Sequence, residues 1–123
     1  MKGGHINLID LDFEYKIWKN RIELFINEIQ ILKNRNEEVK NEDFIGELNT
    51  VELMVLDEHS DQLKKLSNRI KVQEHELQFY NKDFPITQGH QYFVEHEALR
   101  QKMENISKLH FRRVADLINA LGI

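Results

Sequence analysis

From Leu11 to Val39 the side chains that suit a core recur at steps alternating between four and three residues. They are Leu11, Tyr15, Trp18, Ile22, Phe25, Ile29, Leu32, Asn36 and Val39. A helix of 3.6 residues per turn gathers such positions onto one stripe, whereas a strand needs alternation every second residue. The spacing therefore predicts a helix over about residues 9–39 with a heptad seam. Ile17, Leu24, Ile26 and Ile31 widen its apolar surface. A helix that is apolar beyond one narrow seam has to touch more than one neighbour, so a bundle fits better than a two-stranded coil.

The same spacing continues along the chain. Phe44, Leu48, Val51, Val55, His59, Leu63, Leu66, Ile70, Gln73, Leu77, Tyr80 and Phe84 form a second seam, predicting a helix over about 44–82. Its two successive steps of four around His59 are a stutter that locally unwinds a supercoil. Pro85 and Gly89 mark a loop, because proline cannot donate to a helix and glycine admits unusual backbone angles. Tyr92, His96, Leu99, Met103, Ile106, His110, Val114, Leu117 and Leu121 form a third seam, over about 91–121. The expectation is an all-α single domain over residues 1–123, an antiparallel bundle of three long helices with coiled-coil-like packing, completed by dimerisation. One proline and five glycines in 123 residues agree with few turns.

The first connection is the harder one to place. The polar stretch Asn34–Asp43 is preferred, with Asn41 or Asp43 capping the next helix, over a break at Gly46–Thr50. Asn36 then falls at a fraying helix end, although a polar seam residue can also set register. Folding back about residue 41 puts Trp18, a core anchor, opposite Lys64. Folding back about residue 86 puts His59 opposite position 113, one turn from His110, and His96 opposite Gln73 and His75. The first helix then stops short of an aromatic tip made of Phe79, Tyr80, Phe84, Tyr92 and Phe93. Such a tip needs cover, either from residues 1–8 or from a second subunit, and a homodimer is the favoured expectation.

Several function classes lose support at this level. There is no cysteine, hence no disulfide or thiolate chemistry. No apolar run approaches the length of a membrane span, and no signal-like stretch follows Met1, so a cytoplasmic location is expected. The net charge is −4 and the pI about 5.9, with Arg112–Arg113 the only adjacent arginine pair, which argues against nucleic acid. Residues 1–61 carry 14 acidic and 7 basic side chains and the rest 7 and 10, so the two halves complement each other. The basic polar face of a membrane-surface helix is lacking. Gly3-Gly4 opens no phosphate loop, and Ser60 and Ser67 lack a histidine and carboxylate on their own face. No enzyme activity and no cofactor are expected.

The six histidines are the remaining chemical candidates. A helical di-metal site needs Glu-x-x-His pairs, but Leu56, Val72, Phe93 and Ser107 stand three residues before the helical histidines. His59, His96 and His110 read as partnered polar seam residues, and His75 as exposed. The alternative is a metal-binding bundle using His59 and His110 with Glu28 or Glu58, or a histidine layer that responds to pH. The preferred reading is a structural or protein-interaction module.

Trp18, Glu23, Leu24, Phe25, Glu28, Ile29, Asn34, Arg35, Glu37, Glu38 and Val39 resemble the first helix of an uncharacterised family of short three-helix proteins from Bacteroidetes. His75-Glu76 and His96-Glu97-Ala98-Leu99-Arg100 are similar to its second and third helices. The resemblance spans about residues 14–118, implies three helices and transfers no catalytic residue. Asn36 departs from the apolar residue usual there.

Overall fold

The computed structural model describes residues 5–41, 47–80 and 84–122. Helix α1 spans Leu8–Asn41, α2 Thr50–Glu76 and α3 Gln91–Ala120. A short 3-10 turn, Leu77–Phe79, extends α2. Two-residue strands β1 (Ile6–Asn7) and β2 (Pro85–Ile86) pair antiparallel, with Ile6 opposite Ile86. All three helices pack on one another around a single core.

The seam read from α1 is buried at every position from Leu11 to Val39. Along α3 and its C-cap, Tyr92, His96, Leu99, Met103, His110, Leu117 and Leu121 are buried, with Ile106 and Val114 half-buried beside them. The three-helix bundle expected from the spacing is the fold.

Both ends of α2 differ from expectation. The helix begins at Thr50, not near 44, and Asn49 caps it. The Asn49 side chain accepts from the Glu52 amide at 2.8 Å, while the Glu52 carboxylate accepts from the Asn49 amide at 2.9 Å. This reciprocal pair satisfies two amides that a bare helix start leaves unbonded. Asn41 and Asp43, the expected caps, are not used: Asn41 belongs to α1, and Asp43, like the seam residue Phe44, lies outside the described residues. With the start at Thr50, Val51 falls in the first turn and is exposed, and Leu56 is buried instead. At the other end the chain leaves α2 at Glu76, so Tyr80 and Phe84 do not continue the seam.

Asn36 corrects the reading of the first connection. It is not frayed but buried within α1, and its side-chain oxygen accepts from the Leu48 amide at 2.8 Å. A polar residue in the seam thus satisfies a backbone donor that would otherwise be stranded in the core. It also ties the entry of α2 to the last turns of α1.

The later start of α2 shifts the register of the two helices. Lys33 pairs with Asp57 at 2.6 Å and Lys19 with Glu74 at 2.5 Å. The helices are therefore paired about position 45–47 rather than 41, so Trp18 lies near Glu74, not Lys64. Because the helices are antiparallel, moving the turn by a few residues slides one helix twice as far along the other. The start of α1 consequently reaches the aromatic end of the bundle. Leu8 and Ile86 are buried there, the Leu8 amide bonds to the Phe84 carbonyl at 3.4 Å, and Tyr92 is covered. Of the two covers offered above, residues 1–8 or a second subunit, the first is seen at Leu8, which lies with Tyr80, Phe84, Ile86 and His90 around Tyr92. Phe79, Tyr80 and Phe84 stay exposed, and Phe93 is half-buried.

Replacing Asn36 by Ala leaves the Leu48 amide buried without an acceptor. We expect a loss of about 1–3 kcal/mol in urea unfolding, against less than about 0.5 kcal/mol for Asn34→Ala on the exposed face.

Candidate functional site

The three buried histidines His59, His96 and His110 sit in two hydrogen-bonded clusters, called layers below. In the first, four side chains from three helices make one chain of hydrogen bonds. Arg113 Nη1 lies 2.9 Å from His59 Nδ1, His59 Nε2 lies 2.9 Å from His110 Nδ1, and His110 Nε2 lies 2.6 Å from Glu28 Oε1. Both histidines are inaccessible to solvent. The ends dictate the proton positions. Glu28 can only accept, so His110 donates from Nε2 and accepts at Nδ1. His59 must then donate from Nε2, and its Nδ1 accepts from a guanidinium that can only donate. All three bonds are satisfied with both imidazoles neutral.

Charging His59 would set an Nδ1–H against the Arg113 N–H groups. Burial, then the Arg113 charge and the neighbouring His110, push the His59 pKa down from 6.5 to about 4. The rings are held flat by stacking: Phe25 lies 4.0 Å from His110, centroid to centroid, and His59 5.1 Å from it.

The second layer repeats the first two heptads away. His96 Nε2 meets Glu14 Oε1 at 2.5 Å, and Arg100 Nη2 bonds the same oxygen at 2.6 Å. Glu14 and Glu28 stand two heptads apart on α1, as do His96 and His110 on α3. Both couples thus set α1 against the parallel α3 in one register, about 21 Å apart along the axis. His96 stacks on Trp18 at 4.8 Å and packs against Tyr15 at 4.6 Å. Its Nδ1 is buried with no hydrogen-bond partner. Burial lowers the His96 pKa against the opposing pull of Glu14. Burial tends to raise the Glu14 carboxyl, but the bonds from Arg100 and His96 outweigh it and lower it overall.

The sequence places His59, His110 and Glu28 together, and the structure brings them together. It does not make them one ligand set. Glu28 and His59 meet opposite edges of the His110 ring, so an ion on one edge is out of reach of the ligand on the other. Among the described residues no three histidine, aspartate or glutamate side chains are arranged to hold a metal ion. Glu58 enters no bond of this layer, and Arg113 supplies its other end. The Glu14–His96–Arg100 layer is missed from sequence, although the shared two-heptad spacing is its signal.

Two surfaces complete the inventory. An open groove of about 340 Å³ between α2 and α3 is lined by Leu66, Ile106 and Leu109 with Lys65, Arg69 and Lys102 beside them. On α1, Phe13, Ile17, Leu24 and Ile31 are exposed along the side facing away from the core. Among the described residues no helix is long and apolar enough to cross a membrane. No protein-family model matches the chain, and neither a curated protein nor a solved structure matches it.

Stability is expected to fall as pH drops below about 6.5. Above that value His59 is neutral folded or unfolded, and nothing is lost. Between 6.5 and about 4 the unfolded chain takes up a proton that folded His59 refuses. The slope is about 1.4 kcal/mol per pH unit for each such histidine, and His96 acts in the same direction. The lowered Glu14 carboxyl adds a further loss only below about 4.5, its ordinary value. Chemical denaturation at several pH values checks this, and His59→Gln flattens the upper part of the curve.

Proposed function

We propose that this chain is a helical protein-interaction module without catalytic activity, working in the cytoplasm, and that it associates through the outward face of α1. The observation that supports this reading is the row Phe13, Ile17, Leu24 and Ile31, exposed on a helix whose opposite side is already fully packed. Single exposed apolar residues are ordinary, but an aligned row on one helix marks a contact surface. A second copy of the chain is the simplest partner, since symmetric pairing needs only one surface. The buried histidine layers then act as alignment devices within the bundle.

The test is the mass in solution by light scattering, for the parent chain and for Leu24→Glu. We expect a dimer that Leu24→Glu converts to monomer with its helical circular dichroism unchanged. A parent chain that stays monomeric at high concentration overturns the homodimer. Metal at one equivalent in tag-free protein, lost in His110→Ala, would replace the reading with a metal-binding one.

A further inference from the structure

The exposed row on α1 is part of a complete second heptad. Phe13, Ile17, Asn20, Leu24, Asn27, Ile31 and Asn34 follow one another at steps of four and three, and every one is exposed. The inward seam already gives α1 its contacts with α2 and α3. A second seam with this period, about 32 Å long, has the form of a surface for another helix. Asparagine at every seventh position is the polar element that restricts register in such seams.

Resting on the interaction-module reading above, we propose that this face pairs antiparallel with the same face of a second copy, about an axis between Phe25 and Ile26. In that register Leu24 faces Asn27 of the second copy, Asn20 faces Ile31 and Ile17 faces Asn34.

The flanking charges select it. One flank of the seam carries Glu14, Arg21, Glu28 and Arg35, alternating in sign at each heptad. The other carries Lys16, Glu23, Gln30 and Glu37. Antiparallel helices bring like flank to like flank. The proposed register sets Arg21 against Glu28, Glu14 against Arg35 and Lys16 against Glu37 of the other copy. Glu28 keeps half its carboxylate exposed while it accepts from His110, and so stays available. A parallel in-register pair instead opposes Lys16 to Arg21 and Glu23 to Glu28. An antiparallel pair centred on Ile22 opposes Arg21 to Arg21, Glu23 to Glu23 and Glu14 to Glu28. Like charges at these distances discriminate strongly between registers. Two other registers match charges, but the one centred between Trp18 and Lys19 leaves Ile31 beyond the overlap of the two helices and the one centred between Leu32 and Lys33 leaves Phe13 and Ile17 beyond it, whereas the proposed one overlaps residues 10–41.

The chain has no cysteine, so introduced thiols report the register without background. Asn20→Cys and Ile31→Cys proteins, mixed and oxidised, should give the mixed disulfide dimer as the main product. Phe13→Cys mixed with Leu24→Cys reports the register centred between Trp18 and Lys19, Asn20→Cys mixed with Leu24→Cys the one centred on Ile22, and Asn20→Cys alone the parallel pair. Predominance of any of these three in a chain that is dimeric by mass overturns the proposed register and leaves the interaction reading standing. A monomeric mass overturns the register together with the homodimer. Independently, Lys16→Glu and Glu37→Lys should each weaken the dimer about fivefold and together restore it; no rescue in the double variant counts against the register.

Discussion

Three helices can slide along one another at little cost when only oily side chains meet, and the carboxylate–histidine couples remove that freedom. Glu14–His96 and Glu28–His110 join α1 to α3 at two points, two heptads apart on each helix. A slip of one turn would strand a buried imidazole N–H at both points at once, and an unpaired buried donor costs about 1–3 kcal/mol. Apolar packing sets how tightly the bundle holds, and these couples set its alignment. The layer built on Glu28 goes further, because His59 extends it to α2, and Arg113, back on α3, donates to the far edge of the His59 ring and favours its neutral form.

The inward faces were legible in the sequence because periodicity is a property of single helices. Leu11 through Val39, and Tyr92 through Leu121, are buried or half-buried as the four–three spacing requires. The proximity of His59 to His110 followed from folding the second and third helices back about residue 86, where Pro85 and Gly89 mark the loop. The first connection was not legible, since the polar run Asn34–Asn41 resembles a loop until a partner for Asn36 is known. That partner, the Leu48 amide, is a backbone group and leaves no mark in side-chain pattern. The capping box at Asn49 and Glu52 was written in the sequence and was outweighed by the longer asparagine-rich run. Moving the turn by a few residues then propagated into the register of α1 and α2 and into the account of the aromatic tip.

Helix α1 carries two faces of one period with different chemistry. The inward face is aliphatic and aromatic, with one asparagine, and is solvent-free. The outward face interleaves apolar residues with asparagines and stays wet. An all-aliphatic outward face would compete with the inward one for α2 and α3 during folding, and the bundle would then have two near-equal ways to close. Asparagine at each heptad makes the outward face the poorer choice for the core and still presents apolar contacts.

The pairing of Ile6–Asn7 with Pro85–Ile86 joins segments separated by the whole of α1 and α2. Residues 6–8 are synthesised long before residues 84–86, so Leu8 lacks this cover until the whole of α1 and α2 has been made. Closing a contact between segments so far apart in sequence carries a loop-entropy cost that local helix formation does not. Fastening residues 6–8 to residues 84–86 therefore waits on the last third of the chain, and it seals the aromatic end of the bundle.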